Sequence, residues 1–146
     1  MKDLLYIVGN GFDIHHGIKS AYAEFGKYLN VRDPEVYSIA EKYFDVDAEF
    51  WSDFEQRLAS FDTARLIDDA GDLLVGYGSE QWKDADNHSY PDEIKDSADA
   101  ISVKMKGHFV DWIRSLTIPV PSAIGDKLLH IDNGGTFMNF NYTDSL

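Results

Sequence analysis

Leu4-Leu5-Tyr6-Ile7-Val8-Gly9-Asn10-Gly11-Phe12-Asp13 is the stretch on which the fold turns. Five apolar residues are too few for a helix, and the run ends at a glycine, so it predicts a buried parallel strand. The Gly-Asn-Gly turn that follows lets backbone approach a phosphate that a Cβ would keep away. At the far end, Thr136-Phe137-Met138-Asn139-Phe140-Asn141-Tyr142-Thr143-Asp144 reads as a second strand that opens onto polar side chains. Together the two segments predict adjacent strand ends around one site.

The turn does not match the dinucleotide fingerprint G-x-G-x-x-G, because the third glycine, Gly17, comes too late. No G-x-x-x-x-G-K-[ST] phosphate loop is present either. Two readings of Gly9 to Gly11 therefore stand side by side: a phosphate cradle, or a tight turn with Asn10 in a left-handed conformation. Asp13 suits a ribose hydroxyl or a helix cap. His15 and His16 follow without a third ligand at metal spacing, so no metal is expected, while His16 is a candidate for lining the pocket. Asn139 and Asn141 are two apart and would share one face of a strand. A buried asparagine needs partners for both donor and acceptor, which a ribose or a backbone turn can supply.

Between the strands the pattern is helical. Ser20 is placed to cap a helix over Ala21 to Leu29, and Asp33-Pro34-Glu35 opens another that runs to about Phe44. Asp47 is expected to open a third, with Phe50, Trp51, Phe54, Leu58 and Phe61 at helical spacing. Trp51-Ser52-Asp53-Phe54-Glu55 lies on it, with Glu55 beside Trp51 at i+4 and so half buried. Asp62-Thr63 starts a fourth, with Leu66, Ile67, Ala70, Leu73 and Leu74 on one face. A polar loop is predicted from Gly76 to Pro91, then the longest helix from Ile94 to Leu116, striped by Ile101, Met105, Phe109, Trp112 and Leu116. Ser122 to Leu129 reads as a short helix or turn, and Asn133-Gly134-Gly135 as a tight turn. His88 is expected in solvent and His108 in packing; His130 is open.

Bulk chemistry narrows the function. The net charge of −13, with 13 scattered Lys and Arg, argues against nucleic acid, whose binders need a basic stripe, and against an anionic membrane. A nucleotide stays possible, since backbone N–H groups hold phosphates without lysines. The absence of cysteine excludes disulfides, a thiolate nucleophile and a cysteine zinc site within this sequence. No signal peptide or span-length apolar run is seen, so a cytoplasmic protein is expected. With strand signals only at the ends, the sequence reads as the front part of a longer α/β protein.

Gly9 to Asp13, Trp51 to Glu55 and Asn139 to Asp144, in that order, resemble the bacteriophage abortive-infection AbiH family, which is similar in turn to sirtuin-like Rossmann domains of antiphage proteins that hydrolyse NAD. The resemblance implies a single AbiH-like domain: an incomplete sirtuin-like Rossmann core of few parallel strands, with a mainly helical insert over 20–130. It implies phage defence by binding NAD or a related nucleotide, with hydrolysis in a complete form. Gly9, Asn10, Gly11, Phe12, Asp13, His16 and Asn139 would hold the cofactor; Asn141 would hold the ribose or orient a water, with Asp144 as its neighbouring acid. The family's expected downstream His-Gly segment is not in this sequence. The alternative is a non-enzymatic sensor, open to oligomerisation, that binds a protein partner or phage component.

Overall fold

The computed structural model describes residues 4–44, 46–47, 49–72, 86–129, 131–132 and 134–145. Strand β1 (Leu5–Val8) is followed by α1 (Asn10–His15), α2 (Tyr22–Arg32), α3 (Pro34–Tyr43), the single turn α4 (Phe54–Arg57) and α5 (Thr63–Gly71). Then come α6 (Asp86–Asp99), a π-helical turn (Ala100–Lys104), α7 (Met105–Ser115), the short α8 (Pro121–Ile124) and strand β2 (Thr136–Asn139). The architecture is α/β, mostly helical, with one two-stranded parallel sheet among the described residues.

The two strands meet in the register Leu5↔Thr136, Tyr6↔Phe137, Ile7↔Met138 and Val8↔Asn139. The ladder extends one bond beyond each end, with the Thr136 amide donating to the Leu4 carbonyl and the Phe140 amide to the Val8 carbonyl, both at 2.8 Å. Tyr6 stacks on Phe137 at 5.1 Å between ring centres, and its ring comes so close to Gly135 that a Cβ there would lie 2.6 Å from it. That approach is why the turn into β2 carries glycine. The strands are not buried on both faces as the unbroken apolar run suggested: Val8 is buried, whereas Leu5, Ile7, Met138 and Phe140 are exposed. Residues 5, 7, 136 and 138 share one face by the pairing register, and no described helix covers it.

The helices carry the core. Asp33 caps α3 through its side chain, accepting from the Val36 amide at 3.1 Å, with Pro34 in the first turn; Asp62 caps α5 by accepting from the Arg65 amide at 2.9 Å. Phe25 and Leu29 of α2, Val36 and Ala40 of α3, and Met105 and Trp112 of α7 are buried together with Phe44, Phe50, Phe54 and Ala100. The predicted stripe of the long helix points into this cluster, Ile101, Phe109 and Leu116 being partly buried against it.

Four local expectations are revised. Asp47 opens no continuous helix: its carboxylate accepts from the Glu49 amide at 2.9 Å, an Asx turn that diverts the chain, and only Phe54–Arg57 is α-helical. Phe50 and Phe54 are buried as expected, but Leu58 is exposed. Ser20 does not cap α2, whose N-cap is Ala21; its hydroxyl donates to Asn10 instead. The polar loop is shorter than predicted, because α6 already runs from Asp86 through Pro91, where an exposed proline costs one intrahelical bond. Residues 73–85, including Leu73 and Leu74, lie outside the described residues, as do His130 and Asn133.

Gly26 sits inside α2 under Trp51, whose ring would be 2.6 Å from an added Cβ. Gly107 sits inside α7 with nothing within 4 Å of the same position. The two substitutions therefore part company. Gly107→Ala is expected to raise stability by about 1 kcal/mol through helix propensity. Gly26→Ala is expected to lose about 1–3 kcal/mol through overpacking that outweighs the same gain. Urea denaturation of the two variants checks both signs.

Candidate functional site

The site begins where β1 ends. Gly9 is extended (φ −133°, ψ −174°) and is the N-cap of α1, so Asn10 is already helical, and among the described residues no non-glycine residue has positive φ. The left-handed reading of Asn10 is thus corrected. Its side chain faces Ser20, donating from Nδ2 to the Ser20 carbonyl at 2.9 Å and accepting the Ser20 hydroxyl at Oδ1. Gly17 (φ +83°) ends α1 in the left-handed conformation, and the Ile18 amide turns back to the Asp13 carbonyl at 2.9 Å. A Cβ on Gly9 or Gly11 would meet nothing within 4 Å, so both face open space.

Asp13 is fully buried, and its carboxylate holds the segment after β2. Oδ1 accepts from Asn141 Nδ2 at 3.0 Å and from the Ser145 hydroxyl; Oδ2 accepts from the Thr143 hydroxyl at 2.6 Å. Asn141 lies past the end of β2, so the strand-face argument pairing it with Asn139 does not apply. Asn139 is exposed and braces the turn, accepting the Asn141 amide at Oδ1 at 2.9 Å. Asn141 Oδ1 is buried and, among the described residues, is left without a donor. Asp144 is exposed. The strand ends are neighbours, then, and Asp13 is the link between them.

His16 is buried against the Phe12 ring, 4.2 Å between centres. Its Nδ1 donates to the Phe12 carbonyl at 2.8 Å and its Nε2 accepts the Leu129 amide at 3.4 Å, so both ring nitrogens are occupied. His15 Nε2 donates to the Lys127 carbonyl at 2.9 Å. His108 meets the capping carboxylate of Asp33 at 2.9 Å. Among the described residues no three His, Asp or Glu side chains are grouped to hold a metal, and no helix is long and apolar enough to cross a membrane.

A second carboxylate completes the arrangement. Glu55, at the start of α4, accepts both the Tyr22 hydroxyl of α2 and the Tyr142 hydroxyl at one oxygen, Oε1, and the two phenol oxygens are 3.1 Å apart. The Tyr142 bond first and the Tyr22 bond second hold the Glu55 carboxyl below the ordinary carboxylate range. Burial first, and then the Glu55 carboxylate, push both phenols above the usual tyrosine value. Tyr22, Glu55, Tyr142 and the buried Thr143 stand outside the expected site residues. The expected half-burial of Glu55 beside Trp51 is corrected: Glu55 is exposed, and α4 begins only at Phe54, so the two do not share a helix face.

All three sequence segments thus converge: Gly9 to Asp13 through Asp13, Trp51 to Glu55 through Glu55, and Asn139 to Asp144 through residues bonded to both. A family model described as bacteriophage abortive infection AbiH matches residues 5–146. The chain belongs to the AbiH family. Membership places it in phage defence by abortive infection. Comparison with curated proteins and with solved structures finds no match.

Two outcomes follow for this AbiH protein. Asp13→Ala strands the Asn141 amide and the Thr143 hydroxyl, and its expected cost is about 3 kcal/mol in urea unfolding, with Asp13→Asn costing less. Glu55 is lowered in the folded state, so its contribution is complete above the unfolded carboxylate value of about 4.3 and is lost as pH falls through the lower folded value. The stability difference between the parent chain and Glu55→Gln is expected to be constant above about pH 5.5 and to shrink steadily in acid. Denaturation at a series of pH values tests it.

Proposed function

We propose that this AbiH protein acts in phage defence by binding NAD or a related nucleotide across the paired ends of β1 and β2, in a sirtuin-like arrangement. The observation that carries the reading is the juxtaposition at those ends. Two unobstructed glycines follow β1, and after β2 the half-buried Asn141 has a buried carbonyl oxygen without a donor among the described residues. An unsatisfied buried acceptor is costly, and a ribose hydroxyl is a donor of the right kind. Gly9 and Gly11 would lie under the phosphates, and Asn141 would meet the ribose.

The reading assigns binding to these residues rather than hydrolysis. Cleaving the N-glycosidic bond passes through an oxocarbenium-like state and needs a group to activate water. His15 and His16 already spend their placed nitrogens on backbone groups. Asn10 and Asp13 serve as braces that set the glycines and Asn141 in position, and Phe12 packs against His16.

Calorimetric titration with NAD and with ADP-ribose tests the proposal. Saturable binding is expected, weakened about tenfold or more in Gly11→Val, which adds bulk where the phosphates would lie at a position where a Cβ meets nothing within 4 Å. Asn141→Ala is expected to weaken binding too, with its melting temperature read alongside. Heat without saturation, or Gly11→Val binding as the parent does, overturns the reading and leaves the non-enzymatic sensor in its place. Chromatography of the titrated sample shows whether free nicotinamide accumulates.

A further inference from the structure

Beside the strand ends lies a cavity of about 330 Å³, within the size range of small-molecule sites. Its walls are aromatic: Tyr22, Phe25, Phe54, Phe109 and Tyr142. Phe109 meets Phe25 and Tyr142 edge to face, at 5.1 and 5.2 Å, so the rings hold one another in place. One side is formed by the π-helical turn, which contributes Ile101 and Ser102. Such turns distort a helix at a cost and recur at functional sites.

Two charged groups face this apolar space. Glu55 has both phenols on Oε1, so among the described residues Oε2 has no donor. Lys106 lines the cavity from α7 and makes no ion pair among the described residues. A lone cation would meet Lys106, and a lone anion would meet Glu55. A flat ring with an N–H donor and a C=O acceptor side by side satisfies both while its faces stack on the aromatic walls.

We propose that this cavity binds a flat aromatic ring carrying an amide edge, with Glu55 Oε2 accepting the N–H and Lys106 donating to the carbonyl. The chemistry is shared by the nicotinamide of a dinucleotide and by nucleobases such as guanine and uracil. Tyr142 lines the cavity and Asn141 precedes it, so the site adjoins the proposed nucleotide groove, and its tie to a nucleotide rests on that reading.

The test is ligand-observed NMR and calorimetry on the full chain with nicotinamide, nicotinic acid, guanosine and uridine. Nicotinamide is expected to bind saturably, and nicotinic acid, whose carboxylate would face Glu55, about tenfold or more weakly. Ser102→Trp fills the cavity from an exposed position and is expected to abolish binding with an unchanged melting temperature. Lys106→Ala is expected to weaken it about tenfold. Guanosine or uridine binding in place of nicotinamide, with the same loss in Ser102→Trp, supports the amide-edged site and assigns its source to a base. Equal affinity for nicotinamide and nicotinic acid, no binding by any of the rings, or binding that survives Ser102→Trp overturns the proposal. The two readings fail separately. NAD binding that none of the four rings displaces sinks this site and spares the groove; ring binding lost in Ser102→Trp, without NAD binding, does the reverse.

Discussion

A buried carboxylate that has to be satisfied by neutral donors sits at the centre of this molecule. Asp13 has no accessible surface and, among the described residues, no cation beside it. Burying such a group costs several kcal/mol unless its lone pairs are filled. They are filled by Asn141, Thr143 and Ser145, three side chains from one short segment on the far side of the sequence. A two-stranded sheet is marginal by itself. Here the backbone ladder between β1 and β2 and the side-chain bonds to Asp13 act on the same piece of chain, so each holds the other in register. The glycines before Asp13 and the asparagine after β2 are brought together by that constraint.

Glu55 repeats the device at the next layer. Its carboxylate takes Tyr142 from the same closing segment and Tyr22 from α2, tying the sheet end to the helical core. Successive residues of one loop alternate between the two acids: Asn141 to Asp13, Tyr142 to Glu55, Thr143 to Asp13. The loop is a joint with two anchors. A ligand that touched Asn141 would act on a segment whose next residue forms the wall of the aromatic cavity.

Which parts were legible in the sequence follows from the range of the interactions. The helix starts at Asp33 and Asp62 could be read because a cap bonds an amide three residues away, and the residues that make it are adjacent. The stripe through Met105 and Trp112 could be read because periodicity is local. Ser20 and Asp47 misled for the same reason: each offered a plausible local cap, and each bonded elsewhere, Ser20 to Asn10 and Asp47 to the Glu49 amide. The π turn could not be read, since no residue of Ala100–Lys104 announces it. Nor could the roles of Thr143 and Tyr142, whose partners lie 130 and 87 residues away. The juxtaposition of the strand ends was visible only as the repetition of one pattern, an apolar run opening onto polar residues.

The same reasoning bears on what the site residues do. Of the positions the resemblance implied, Asn10, Asp13 and His16 have their polar atoms spent inside the protein, on Ser20, the closing loop and backbone groups respectively. A motif residue is therefore not the same thing as a ligand contact. In this arrangement the most characteristic polar residues build the frame, and in the proposed reading recognition would fall to what the frame leaves over among the described residues: two glycines without side chains, one asparagine oxygen without a donor, and one glutamate oxygen without a phenol. Those four positions differ in kind from the braces. The braces cannot be changed without loss of stability, whereas a change at the glycines alters what can approach the strand ends and leaves the fold in place.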